Sequence, residues 1–197
     1  MKKLRLFVAI NLPAEIRGVL VAVQHQLRHL PYTVKWVEER NFHLTLAFLG
    51  EVEETRLPTL ENALGQALHG FTAFNLSLSQ IGAFPHLRQP RVLWVGLSGN
   101  TKKANLLSQQ IHKALSEQGF TLDNKPFRPH LTLGRVKSRK VEDYRAQKLI
   151  AENDLEQIAA QQAALLGHPF SVDKVELMQS ELTPQGPIYS VLKTYPC

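Results

Sequence analysis

The chain has 197 residues, 44% of them hydrophobic and 20% charged, with a single cysteine and 23 basic against 17 acidic side chains for a net charge of +6. A chain this long buries enough surface to fold without staples, and one cysteine permits no internal disulfide, which excludes disulfide-knit secreted scaffolds and cysteine-built zinc modules. The opening Met1-Lys-Lys imitates a signal peptide, but its apolar run stops at Asn11 and no later run reaches the roughly 18 residues of a membrane helix, so the expectation is a cytoplasmic protein without membrane contact.

Residues 5–11 read as a buried strand, after which Pro13 opens an amphipathic helix over 14–30 with Ile16, Leu20, Val23 and Leu27 at spacings of three and four. Strand-like residues 34–37 and 41–49 follow, the second ended by Gly50, and then a helix over 55–68 closed by Gly70. Residues 71–81 and 91–97 read as two strands, and residues 101–117 as a helix with Leu106, Leu107, Ile111 and Leu115 on one face. A strand over 127–136 has Pro129 at its edge or start. The polar, alanine-rich stretch 141–166 contains no glycine or proline and predicts one or two helices. Strands over 172–182 and 188–194 flank the turn Thr183-Pro-Gln-Gly-Pro. Strands arrive in adjacent pairs as often as separated by helices, which predicts an α+β layer fold of largely antiparallel sheet rather than a doubly wound parallel one.

One repetition stands out: His43-Leu-Thr-Leu46 and His130-Leu-Thr-Leu133. Alternate side chains of a strand share a face, so each copy presents an imidazole and a hydroxyl on one side and anchors two leucines in a core on the other. One such strand would be unremarkable, a lone histidine being usually just solvated or hydrogen-bonded. Two matched copies point to a shared ligand held between His43, Thr45, His130 and Thr132. Without a carboxylate cluster this is a poor metal site, and it suits phosphoryl transfer instead. An imidazole titrates near pH 6.5, so one member can act as base while the other acts as acid, and the threonine hydroxyls can donate to phosphate oxygens as charge develops there. The near-symmetry of the copies leaves either histidine free to be acid or base. His25 and His29 have i,i+4 helical spacing, but no third ligand accompanies them and they read as a solvated helix face.

The setting Asn41-Phe-His-Leu-Thr-Leu-Ala-Phe-Leu-Gly-Glu, the opening Arg5-Leu-Phe-Val-Ala-Ile-Asn-Leu-Pro and the second motif Phe127-Arg-Pro-His-Leu-Thr-Leu-Gly-Arg together resemble the 2H phosphoesterase superfamily. Within it they are similar to the bacterial RNA 2′,3′-cyclic phosphodiesterases, also named 2′-5′ RNA ligases. The resemblance runs along nearly the whole chain. It implies one bilobal domain over residues 1–197, with two pseudo-symmetric lobes of largely antiparallel sheet and outer helices around a central cleft. It also implies no metal or other cofactor, and hydrolysis of RNA 2′,3′-cyclic phosphate ends to a 2′-phosphate. His43 would then protonate the departing 3′-oxygen, His130 would activate water, and Thr45 and Thr132 would hold the phosphate.

Arg135 is a further phosphate-binding candidate. An undistorted strand would put it on the leucine face, so Gly134 would have to bend the chain first. Phe42 and Phe127 are candidates for stacking on a base, with a core position the simpler reading. Arg88, Arg91, Lys137, Arg139, Lys140, Arg145 and Lys148 could track an RNA backbone or form solvated surface. The expected partner is RNA with a 2′,3′-cyclic phosphate end, acted on by a monomer. A phosphodiesterase for 2′-5′-linked oligonucleotides, an ATP-independent ligation by the reverse-type reaction, and an RNA-binding module without catalysis are the competing readings. The last has no need of two His/Thr pairs.

Overall fold

A computed structural model describes residues 2–28, 32–86, 89–123, 126–137 and 167–197. Nine strands and three α-helices follow in the order β1 (Lys3–Asn11), α1 (Ala14–Leu27), β2 (Val34–Trp36), β3 (His43–Glu53), α2 (Leu57–Leu68), β4 (Phe74–Phe84), β5 (Val92–Gly99), α3 (Thr101–Glu117), β6 (His130–Val136), β7 (Pro169–Val172), β8 (Lys174–Leu182) and β9 (Pro187–Pro196) among the described residues. The strands form two antiparallel sheets, ordered β3-β1-β8-β9 and β2-β6-β5-β4-β7. The α+β class and the antiparallel sheets agree with the sequence reading. The expected helices over 141–166 lie outside the described residues.

Several boundaries differ from expectation, and Leu106, expected on the packed face of α3, falls beside the stripe of Ala104, Leu107, Ile111 and Leu115 and is exposed. Gly50 does not end β3. It sits inside the strand at φ 66°, a conformation open to glycine, and the strand continues to Glu53. The last third of the chain contains a further strand, β7, which pairs with β4 in the second sheet, while β8 pairs with β1 in the first. Only Asp173 separates them, too short a break to register as a turn. β1 and β9 are longer than their apolar runs because Lys3 and Pro196 extend their ladders to Glu53 and Lys174.

The sheets match strand for strand: β3-β1-β8-β9 against β6-β5-β4-β7, with β2 added outside β6. The helices cross between them. α1 leaves β1 in the first sheet, yet its Gln24 reaches the carbonyl of Leu133 on β6 in the second. α3 leaves β5 in the second sheet, yet its Ser108 reaches the carbonyl of Leu46 on β3 in the first. One hydrophobic cluster joins the outer faces of both sheets to all three helices, from Leu6, Val8 and Ile10 on β1 through Leu64, Leu93 and Ile111 to Leu131 and Leu177. Removing this apolar surface from water is what holds the helices on both sheets.

Candidate active site

The two motif strands are built alike. Leu44, Leu46, Leu131 and Leu133 are at most 2% exposed, whereas His43, Thr45, His130 and Thr132 are only partly buried and face a cleft of about 490 Å³ between the sheets. This is the alternation expected of a strand with one face in a core. The structure therefore brings together all four residues singled out by the repeat.

Each strand then breaks its alternation at the same place. Thr45 pairs with Ala9 and Ala47 with Val8, so Leu46 has no partner across the ladder; Thr132 pairs with Trp94 and Gly134 with Leu93, so Leu133 has none. Both are β-bulges, and a bulge shifts the residues after it by one position between faces. The residue five places after each histidine accordingly joins the cleft: Phe48 in the first copy and Arg135 in the second. The bend that Arg135 required is thus present. Gly134 also lets β2 come close, since a Cβ there would lie 2.5 Å from Cγ1 of Val34 and 3.2 Å from the carbonyl oxygen of Lys35.

The carbonyls freed by the bulges are satisfied by the crossing helices. Nε2 of Gln24, a residue 4% exposed, donates to the carbonyl oxygens of Leu133 and Val37, both at 2.8 Å, and the Val37 amide adds a bond to Leu133 at 2.9 Å. On the other side Oγ of Ser108 donates to the Leu46 carbonyl at 2.8 Å, and Nε2 of His112 lies 3.3 Å from the same oxygen.

Both histidines hold the same tautomer. Nδ1 of His43 lies 2.8 Å from the carbonyl oxygen of Asn41, and Nδ1 of His130 lies 2.6 Å from that of Arg128, in each case two residues back. A carbonyl only accepts, so each Nδ1 carries a hydrogen and Nε2 is left as the nitrogen available to a ligand. Aromatic rings wall in both: Phe7 and Tyr189 stand 4.9 and 5.3 Å from the His43 ring, and Phe84 and Trp94 stand 4.9 and 6.4 Å from that of His130. Trp94 is seated where Gly82 has no side chain, since a Cβ on Gly82 would lie 2.3 Å from the indole.

Burial among these rings pushes the pKa of both imidazoles below the ordinary value of 6.5. The Asn41 and Arg128 carbonyls oppose that shift. The charge of His130 adds to the depression of His43, and the Arg135 guanidinium adds to that of His130. The Tyr189 phenol is raised by burial, against the pull of Arg135 and Arg5. The depressed imidazoles share the cleft with the Arg5 and Arg135 guanidiniums, whose positive potential suits an anion.

Arg5, Lys35, Trp36, Phe48 and Tyr189 also line the cleft, and the sequence reading assigned a site role to none of them. They arrive from four separate strands, and only the spacing of Phe48 from His43, equal to that of Arg135 from His130, carried a local signal. Arg5 lies over the Phe48 ring at 4.8 Å. Phe42, at 2% exposure, and Phe127 pack with the hydrophobic core. Arg91 and Lys137 are exposed, and neither lines the cleft. Arg88, Arg139, Lys140, Arg145, Lys148 and His29 lie outside the described residues. No three His, Cys, Asp or Glu side chains converge as a metal site among the described residues, nor is any helix among them long and apolar enough to cross a membrane.

Comparison with known proteins agrees with this architecture. The chain is 34% identical over 194 residues to the RNA 2′,3′-cyclic phosphodiesterase of Thermotoga maritima, covering 98% of this chain and 95% of the relative. It is 33% identical over 193 residues to the enzyme of the same name from Methanothermobacter thermautotrophicus, covering 98% of each. E. coli LigT complexed with 3′-AMP superposes with a TM-score of 0.68 at 28% identity, covering 99% of this chain and 98% of that one. The family model of the 2′-5′ RNA ligase superfamily matches residues 15–184, and with these near-full-length relatives the match makes this chain a member of that superfamily.

Proposed function

We propose that this chain hydrolyses the 2′,3′-cyclic phosphate end of RNA to a 2′-phosphate, with the whole chain acting as one bilobal catalytic unit, a cytoplasmic monomer. The observation that carries the reading is the pair of imidazoles with matching Nδ1–H bonds to their own chain, each leaving Nε2 for one shared cleft. The names of the near-full-length relatives support the substrate, and the nucleotide complex of LigT supports a nucleotide-sized ligand.

The anionic cyclic phosphate enters among the cations of the cleft, and its charge raises the depressed pKa of the histidines until one takes up a proton. Neutral His130 accepts a proton from water through Nε2 as the water oxygen bonds to phosphorus. The bond from phosphorus to the 3′-oxygen breaks in line, and protonated His43 delivers its Nε2 proton to that oxygen. Water thus supplies the new phosphate oxygen, and the products are a 2′-phosphate and a 3′-hydroxyl. Thr45 and Thr132 donate hydrogen bonds to the non-bridging oxygens, and Arg135, turned inward by the bulge, offsets the charge that gathers there. Fixed donors of this kind contribute to the rate because they are in place before the reaction begins.

The test is to incubate the pure protein, with EDTA present, with an RNA oligonucleotide ending in a 2′,3′-cyclic phosphate and to identify the product end. A 2′-phosphate is expected. A 3′-phosphate would reverse the roles of the two histidines, and unaltered RNA under all conditions would overturn the reading.

A further inference from the structure

The two sheets correspond strand for strand except for β2, the extra strand outside β6. Its three residues pair with β6 as Val34 with Val136, Lys35 with Arg135 and Trp36 with Gly134. Lys35 and Arg135 thus stand directly opposite each other, and both face the cleft. Like charges in this position repel and weaken a strand pair. Neither forms an ion pair with a carboxylate among the described residues. The acidic group lining the cleft, Glu38, is engaged by Arg40 at 2.8 Å. The close approach of β2 depends on the absence of a side chain at Gly134. A strand has therefore been added, against electrostatic repulsion, where it sets a second cation beside the one nearest His130.

On the reading of this cleft as a cyclic phosphodiesterase site, we infer that Lys35 binds a second phosphate of the substrate, the 5′-phosphodiester that joins the terminal nucleotide to the rest of the RNA. Arg135 serves the cyclic phosphate, where its charge is felt by His130, and Lys35 stands on the next strand outward. Two long side chains on adjacent strands suit two phosphates separated by one nucleotide, and an anion lying between them removes their mutual repulsion. Among the described residues the first sheet has no strand outside β3, the counterpart of β6. The extra strand is thus an asymmetry in an otherwise matched pair of lobes, and it gives the bound strand a direction, with the RNA body leaving over β2. The enzyme then selects an RNA end over a mononucleotide.

The experiment compares two defined substrates: adenosine 2′,3′-cyclic phosphate, which has no 5′-phosphate, and the dinucleotide ApA ending in a 2′,3′-cyclic phosphate. The wild-type protein is expected to favour the dinucleotide in kcat/KM by about tenfold, the contribution of one charge-assisted hydrogen bond, chiefly through KM. Lys35→Gln should lower kcat/KM for the dinucleotide about tenfold more than for the mononucleotide, and Lys35→Arg should restore the preference. The slope of log kcat/KM against log salt should be steeper for the dinucleotide by about 0.7, the value for one phosphate of a single strand, and the difference should vanish in Lys35→Gln. Equal losses on both substrates, or none, would overturn the role of Lys35 while leaving the reaction in place. Failure of the wild-type protein to open either substrate would instead overturn the proposed reaction, and this inference with it.

Discussion

Gln24 on α1 and Ser108 on α3 perform the same task in opposite lobes: each donates, at 2.8 Å, to the carbonyl of the leucine that bulges out of a motif strand. A buried carbonyl without a donor is costly, so these two polar side chains stabilise the distortion that turns Arg135 and Phe48 into the cleft. Gln24→Leu removes the bonds to Leu133 and Val37, leaving Leu133 with the Val37 amide alone. We expect a loss of about 1–3 kcal/mol. For a chain of this size that is a fall in Tm of roughly 2–4 °C per kcal/mol, measurable by thermal unfolding. Ser108→Ala should lose about 1 kcal/mol, because His112 remains near the same oxygen. Wild-type Tm in both variants would show that the bulges need no support from the helices.

His43→Ala and His130→Ala should each lower kcat by about 10²- to 10⁴-fold with the fold intact, the usual loss for a general acid or base. Thr45→Val and Thr132→Val should lose less, on the order of 10- to 10³-fold, because on the proposed mechanism each hydroxyl is one of several donors to the phosphate. Single-turnover rates on a cyclic-phosphate RNA, with circular dichroism to verify folding, decide the matter. Near-wild-type turnover in both histidine variants would remove the proposed mechanism.

The pKa depression of both histidines fixes the shape of the pH profile. On the proposed mechanism the working form of the free protein has one imidazole neutral and one protonated, so kcat/KM should peak where the pair is half titrated, below the ordinary imidazole value of 6.5. Bound phosphate raises both, so the optimum in kcat should lie at higher pH than that in kcat/KM. Stability follows the same shifts. The unfolded chain binds protons at these two sites near pH 6.5 and the folded chain only lower, so stability present above that value declines as pH falls through the folded pKa values. His43→Gln should unfold with a shallower loss of Tm on acidification. A kcat/KM that instead climbs through neutrality to a plateau near pH 8 would contradict the burial of both imidazoles.

Gly134→Ala places a methyl 2.5 Å from Val34 Cγ1, so β2 must move outward. Overpacking of this kind typically destabilises by about 1–3 kcal/mol, and here it also disturbs the strand that carries Arg135. KM for the cyclic phosphate should rise more than kcat falls. An unchanged Tm together with an unchanged KM would mean that the strands do not approach as closely as described.

Much of the site was legible in the sequence because it was written twice. His43, Thr45, His130 and Thr132 fall on the face that period-two alternation assigns them, with the paired leucines behind. Arg135 was legible only as far as the need for a bend, since alternation counts residues and cannot register one that drops out of the ladder. Lys35 and Tyr189 carried no signal, and Arg5 entered only within the opening segment that bore the resemblance, with no site role. Each is an ordinary residue on its own strand, and it is the pairing of β1 and β2 with strands distant in sequence, and of the β8–β9 hairpin with β1 through β8, that brings them to one cleft. The same limit explains β7 and β8, where a continuous strand pattern hides the chain's passage from one sheet to the other across Asp173.

The crossing of α1 and α3 between the sheets ties the two halves into one mechanical frame. Loosening either sheet would strip a hydrogen-bond donor from the bulge in the other, which favours joint opening of the two lobes. In native-state hydrogen exchange the amides of β3 and β6 should therefore open together with a common free energy, and the spacing of His43 from His130 should be maintained as the cleft fills and empties.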